Sequence, residues 1–307
     1  MTLGSTRVRT GLTRLVASAH DAETLRIVMP AYLGGDLSHL IDANAHTRGV
    51  AEPAAQFYAG CLVLALSKLH EMGVVYRDLK PENVLLSANG WPVLCDFGLV
   101  AFLGDAASKS ADGGRETAAD EDKIPHTYSM AGTPEFMAPE IIAGTGHDTD
   151  ADWWSLGVLI GELTTLHTPF HDPDEEDVNE MYSNILQGKY VESFKKERRR
   201  LNTRTSAFID DLLKVDTAMR LGGRRRGIES MRVHSFFWGL AWESLEQQQL
   251  APPHKEYCEE GAKEKNDPSQ KFTVAPKRKQ KKEEAMDAAT KALDRLFDFS
   301  GWGEEMG

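Results

Sequence analysis

Two short runs hold the side chains best suited to chemistry in this chain: Val75-Tyr76-Arg77-Asp78-Leu79-Lys80-Pro81-Glu82-Asn83 and, shortly after, Val93-Leu94-Cys95-Asp96-Phe97-Gly98. Together they supply carboxylates (Asp78, Glu82, Asp96), an ammonium (Lys80) and an amide (Asn83). Moving a phosphoryl group asks little covalent chemistry of a protein. It asks for positioning and for neutralisation of negative charge, which a few carboxylates, an amide and a lysine can supply. An Arg-Asp pair or an Asp-Phe-Gly triplet alone arises readily by chance in a solvated turn; both together, in this order, do not.

Three later runs agree with them: Gly132-Thr133-Pro134-Glu135-Phe136-Met137-Ala138-Pro139-Glu140, Asp152-Trp153-Trp154-Ser155-Leu156-Gly157-Val158, and Asp216-Thr217-Ala218-Met219-Arg220-Leu221. On these motifs the chain resembles the AGC group of serine/threonine protein kinases and is similar to its cyclic-nucleotide-dependent members, from about Leu15 to Leu250, with Tyr76 where most kinases carry His. The resemblance implies ATP as phosphoryl donor and Mg²⁺ as its partner. It makes Asp78 the base that takes the proton of the substrate hydroxyl, Lys80 the cation beside the transferring phosphate, and Asn83 and Asp96 the metal ligands. Met29 and Ala31, at the start of the Pro30–Leu33 hinge, and Leu85 would meet the adenine. Glu140 would pair with Arg220, and Asp152 would brace the backbone of the catalytic loop.

The same resemblance suggests regulation and substrate choice. Ser129 lies four residues before Thr133, where related kinases carry an activating phosphorylation, and Arg77 is placed to receive that phosphate. Lys80 and Thr133 are the marks of a serine/threonine kinase. Asp36, Glu82 and Glu162 stand where relatives contact arginines preceding the phosphoacceptor, while Met130, Pro134 and Met137 would face the residue after it. The bland reading has Asp36 capping a helix and Glu162 paired internally. The implied partners are protein substrates with basic residues before the acceptor and an upstream activating kinase.

The elements that must carry these residues are legible in the pattern. Leu15 to Met29 reads as two strands around His20-Asp21-Ala22-Glu23, with Pro30 ending the second. Ala54 to Glu71 repeats apolar residues at helical spacing and reads as a core helix, and Asp152 to Leu166 is apolar nearly all round. Asn83–Leu86 and Trp91–Leu94 read as a hairpin about Ala88-Asn89-Gly90. Met181–Leu186, Ala207–Leu213 and Met231–His234 read as further helices. Leu103 to Ile124 has almost no large apolar side chain and reads as an insertion that expands the activation segment, about 96–140. Past His254 the chain is highly charged and reads as unstructured unless docked, and Ser300–Met306 resembles a hydrophobic docking motif with Met in an aromatic position.

The expected fold class is α+β: a kinase-like fold made mostly of the helical large lobe (34–237), with a truncated β small lobe and hinge (1–33) and an AGC-type C-terminal tail (238–307). No glycine-rich phosphate loop precedes Leu15, and the first lysine is Lys68. A second reading follows from this: a catalytically inactive kinase-like fragment or binding module lacking the strand-three lysine and the helix-C glutamate.

Composition narrows the class further. A chain of 307 residues with 41% hydrophobic and 27% charged residues is ordinary for a globular protein. The net charge of −12 argues against a nucleic-acid partner and suits basic peptides. Three cysteines, widely separated and odd in number, argue against a disulfide framework and point to a reducing compartment, the cytoplasm with the nucleus also open. No stretch is apolar enough to span a membrane. Arg198–Arg200 and Arg224–Arg226 read as solvated faces, Lys277–Lys282 as a solvated tail or an import signal, and His126, His147 and His171 as loop residues without metal-ligand spacing.

Overall fold

The computed structural model describes residues 11–21, 24–103, 126–172, 174 and 177–265. In chain order the elements are β1 (Ala17–His20), β2 (Leu25–Val28), α1 (Leu37–Ala43), α2 (Glu52–Glu71), β3 (Val74–Val75), β4 (Val84–Leu86), β5 (Pro92–Leu94) and β6 (Ala101–Phe102). The remainder is helical: α3 (Pro139–Ala143), α4 (Asp150–Thr165), α5 (Val178–Gln187), α6 (Glu192–Arg198), α7 (Thr203–Leu212), α8 (Gly227–Arg232), α9 (Trp242–Glu246) and α10 (Lys255–Lys265). Most of the insertion read over Leu103–Ile124, the Lys277–Lys282 run and the Ser300–Met306 motif lie outside the described residues.

Two helices form the centre because their sequences leave no polar face. Along α2 the residues Ala55, Tyr58, Leu62, Leu66 and Leu69 are buried on successive turns, with Phe57, Cys61 and Val63 buried on the other sides. Nearly all of α4 is buried too, from Asp150 to Thr165. A helix apolar all round belongs inside a core, and these two pack against each other. At Gly157 a Cβ would stand 2.8 Å from the Leu213 side chain, so the missing side chain is what lets α7 approach α4. The outer helices start on local caps: Asp177 accepts from Asn179 N at the start of α5, and Asn202 from Thr205 N at the start of α7, each at 2.9 Å.

Among the described residues the strands form three separate antiparallel pairs. β1 pairs with β2 in register Ala17↔Val28 to His20↔Leu25, closed by Asp21, whose carboxylate accepts from Thr24 N at 2.8 Å. β4 pairs with β5 from Val84↔Leu94 to Leu86↔Pro92, turning through Gly90 at φ +88°. β3 pairs with β6, Val74 opposite Phe102. The link from β2 to α1 is stitched to β4 by Gly34 N–Leu86 O at 3.0 Å and Leu86 N–Gly35 O at 2.8 Å. A Cβ on Gly34 would stand 2.5 Å from Ser87 O, so only glycine permits this crossing.

Directly after His254, residues Lys255–Lys265 form α10 despite their charge. Docking supplies the apolar burial that its composition lacks. The Tyr58 hydroxyl and His254 Nδ1 lie 3.1 Å apart with their rings stacked at 5.8 Å, the Tyr257 hydroxyl donates to His39 O at 3.3 Å, and Cys258 is fully buried beside Gly34. α8 runs Gly227–Arg232, four residues earlier at its start than the pattern Met231–His234 suggests. Among the described residues no helix is long and apolar enough to cross a membrane.

Candidate active site

The loop after β3 is fixed from beneath by Asp152, a fully buried residue at the start of α4. Its Oδ2 accepts from Tyr76 N at 2.9 Å, its Oδ1 from Arg77 N at 2.8 Å, and His70 Nε2 lies 2.7 Å from Oδ2. A buried carboxylate met by several donors is stabilised in one geometry, and the backbone that donates is stabilised with it. Tyr76 ties this loop to the next strand: its hydroxyl donates to Cys95 O and its ring stands edge-on to Phe97 at 5.7 Å. Two residues here adopt left-handed backbone, Arg77 at φ +70° and Asp96 at φ +52°. Such strain costs about 1–3 kcal/mol per residue and persists where surrounding contacts over-determine it.

Above this base sits a closed polar cluster. Asp78, only 7% exposed, accepts from Asn83 Nδ2 at 2.8 Å through Oδ2 and from the Thr133 hydroxyl at 2.7 Å through Oδ1. The same Asn83 Nδ2 also donates to Asp78 O at 2.8 Å. Lys80 Nζ donates to Thr133 Oγ1 at 2.7 Å and stands 3.3 Å from Asp78 Oδ2. Asn83 is delivered by the tight turn Pro81–Asn83, and its carbonyl accepts from Cys95 N at 3.0 Å, which draws the strand before Asp96 toward the loop. Asp96 itself is exposed, with Gly98 N donating to its Oδ1 at 3.1 Å.

These residues fit a hard cation. The Asn83 amide donates both of its bonds to Asp78 through Nδ2, so Oδ1 is the atom with ligand character, and Asp96 offers an exposed carboxylate. Magnesium takes oxygen donors and needs only one or two carboxylates when phosphates and water complete its shell. Among the described residues no group of three or more His, Cys, Asp or Glu forms a metal cluster. The Cys95 thiol, buried and pushed up to about 11 by that burial and then by Asp96 and Asp36, is suited to packing and not to reaction.

The remaining residues singled out by sequence fall in three places. Met29 and Ala31 are exposed at and just beyond the end of β2, and Leu85 is half-buried in β4, bridged to Asp36. Arg77 reaches outward: its Nε donates to Leu99 O at 2.5 Å, Nη2 to Val100 O at 3.3 Å, and Nη1 to the Ser129 hydroxyl. Glu140 and Arg220 form a bidentate pair at 2.7 and 3.0 Å, with Arg220 fully buried, donating also to Asp150 O and Lys214 O and lying over the Trp154 ring.

The three carboxylates Asp36, Glu82 and Glu162 do not gather at one point. Glu82 and Glu162 share a cavity of about 450 Å³ with Asp42, Glu135, Pro134 and His171. Asp36 does not line it; its Oδ1 caps α1, accepting from His39 N at 3.0 Å with His39 Nδ1 at 2.7 Å. The cap thus engages one of its two carboxylate oxygens. Burial, and then the neighbouring Glu135, Glu82 and Asp42, push the Glu162 carboxyl up to about 7, and its Oε2 is buried without a donor. Of the residues expected to face the position after the acceptor, Met130 is exposed and Met137 is buried. Sequence reasoning passed over Asp42 and the cavity role of Glu135; Glu135 lies inside a recognised motif, but nothing local marks Asp42.

The protein kinase domain family matches residues 5–237 of the chain. The mouse cAMP-dependent protein kinase catalytic subunit PRKX is 35% identical over 242 residues, covering 79% of this chain and 59% of that protein. The cAMP-dependent protein kinase catalytic subunit of Arthrobotrys oligospora is 33% identical over 243 residues, covering 79% and 41%. The cGMP-dependent protein kinase egl-4 of Caenorhabditis elegans is 33% identical over 242 residues, covering 79% and 28%. The chain thus spans 59% or less of the length of each of these relatives. A catalytic loop braced by a buried carboxylate, a polar cluster around Asp78 and a match over most of the chain lead to one assignment: the chain belongs to the protein kinase family and is similar to the cyclic-nucleotide-dependent kinases of the AGC group.

Proposed function

We propose that this protein transfers the terminal phosphoryl group of ATP to serine or threonine hydroxyls of proteins that carry arginines before the acceptor. The observation that carries the reading is the cluster in which Asp78 Oδ1 accepts a hydroxyl at 2.7 Å while Lys80 Nζ stands within 3.3 Å of the same carboxylate. A substrate hydroxyl in the place of Thr133 Oγ1 would meet a base already oriented by Asn83. As that hydroxyl attacks, its proton passes to Asp78, and the Lys80 ammonium offsets the negative charge moving across the site. Mg²⁺, held by Asn83 Oδ1 and Asp96, would neutralise the phosphates when bound.

Substrate choice follows from the cavity that holds Glu82 and Glu162. A guanidinium offers a planar fork that matches a carboxylate, which an ammonium does not. We expect the full chain, assayed with Mg-ATP and a panel of peptides, to prefer an Arg-Arg-x-Ser-hydrophobic sequence by about tenfold or more over versions with either arginine replaced by alanine. Glu162→Gln should erase most of that preference, and raising the salt should weaken it. Equal rates across the panel, or preference for a tyrosine peptide, would sink the reading.

Regulation is proposed at Ser129. Its hydroxyl already receives Arg77 Nη1, and Arg77 is anchored by Leu99 O and Val100 O, so a phosphate at Ser129 would enter a prepared charge-assisted contact. An upstream kinase is the partner this implies. Mass spectrometry of active protein should find Ser129 phosphorylated, and Ser129→Ala should lower the transfer rate by about tenfold. Full activity with Ser129 unmodified would remove the proposal.

A further inference from the structure

The segment that carries Ser129 crosses the 146–148 loop in a single antiparallel step, in which Thr127 and His147 exchange both backbone hydrogen bonds at 2.9 Å. Residues opposed in this way send their side chains to the same face. The Ser129 hydroxyl joins that face, 3.4 Å from the Thr127 hydroxyl. Tyr128 turns the other way and lies against Gly146, where a Cβ would stand 2.8 Å from its ring. Arg77 closes the first face by donating through Nη1 to the Ser129 hydroxyl. The His147 imidazole in this corner is 2% exposed, and its Nε2 is buried with no hydrogen-bond partner. Folded proteins rarely leave a buried ring nitrogen in that state without a reason.

A phosphate on Ser129 asks for more than Arg77 can give. It brings three acceptor oxygens and a charge of about −1.5 to −2 at pH 7, whereas the guanidinium already gives Nε to Leu99 O and Nη2 to Val100 O. We infer that His147 is a second phosphate-binding residue of this site, donating through Nε2 to a phosphate on Ser129 beside Arg77. The inference rests on the reading of Ser129 as a phosphorylation site. Without the phosphate the ring is neutral: burial, and then the Arg77 charge, push it down to about 4, against the opposite pull of Glu140, Asp152 and Asp148. Those carboxylates are engaged elsewhere, Glu140 with Arg220, Asp152 with the backbone of the catalytic loop, and Asp148 with Arg224 Nε at 3.4 Å and His126 Nε2 at 4.0 Å. A phosphate offsets the Arg77 charge and adds its own, so the ring takes up a proton from solvent as the contact forms. A group raised in this way contributes below its new midpoint, so the contact is held at about pH 6 and is lost as pH climbs to about 8.

The full chain with phosphoserine inserted at position 129 during translation, compared with the same chain carrying serine there, tests this. Ring-nitrogen NMR shifts of His147, assigned with the His147→Gln variant, should show a neutral imidazole at about pH 6 in the unmodified chain and an imidazolium in the phosphorylated one, its midpoint raised by about three pH units. His147→Gln should speed removal of the phosphate by an added phosphatase about fivefold at about pH 6 and less than about twofold at about pH 8, each relative to the His147 chain at the same pH. The melting temperature of the unmodified chain should not change with the substitution, which separates the contact from a structural role. A ring that stays neutral in a phosphorylated chain whose transfer rate has risen overturns the part of His147 and leaves Ser129 as the regulatory site. A protonated ring in a phosphorylated chain with an unchanged rate keeps the contact and removes the regulatory reading. A neutral ring with an unchanged rate overturns both.

Discussion

Asp78→Asn should lower phosphoryl transfer to a serine peptide by about 10²–10⁴-fold, the range expected when a positioned general base is lost. The substitution keeps the side chain's size, and an amide can still accept from Asn83 through Oδ1 while its NH₂ faces the Thr133 hydroxyl. What it loses is the ability to take a proton. Asn83 Oδ1 and Asp96 are untouched, so the thermal stabilisation conferred by Mg-ATP should persist in the variant. The informative comparison is therefore rate against nucleotide-induced stabilisation. Transfer retained within a factor of a few would remove Asp78 from the chemistry; loss of both rate and stabilisation would make its part structural.

The second large effect concerns folding. Glu140→Ala should destabilise the protein by about 3–5 kcal/mol, because it leaves a buried guanidinium without its counter-charge. Arg220 is 0% exposed and donates two bonds to Glu140, at 2.7 and 3.0 Å. Its bonds to Asp150 O and Lys214 O remain after the change, yet carbonyls alone do not neutralise the charge. Glu140→Gln keeps an acceptor in place and should cost less. Urea denaturation followed by tryptophan fluorescence would read both, since Trp154 lies under the Arg220 guanidinium. A loss below about 1 kcal/mol for the alanine variant would show that the pair is not a stabilising partner of the kind buried ion pairs usually are.

The motifs were legible because their geometry is local. Asp78, Lys80 and Asn83 sit on one loop and turn, so their order along the chain already sets most of their separation. The β4–β5 hairpin and the helices α2, α4, α5 and α7 follow from periodicity within a single segment, the signal that burial writes most directly into a sequence. The charge of residues 255–265, in contrast, says only that the segment cannot make a core by itself. Whether it finds one depends on Tyr58, His39 and Gly34, far away in the chain.

The sequence by itself determined the family, the run of polar side chains that gathers around Asp78 and the helical character of the core, because each rests on residue type at short spacing. Tertiary structure decided which carboxylates share a cavity. Asp36 and Asp42 lie six positions apart: the first caps α1 through a local contact with His39 N, but it is the packing of that helix against the turn at Pro81–Asn83 that puts the second at the rim beside Glu162. It likewise brought Lys80 to Thr133, Arg77 to Ser129 and Asp152 beneath the catalytic loop. The direction in which a helix presents a side chain is set by what the helix packs against, and no local pattern encodes that neighbour.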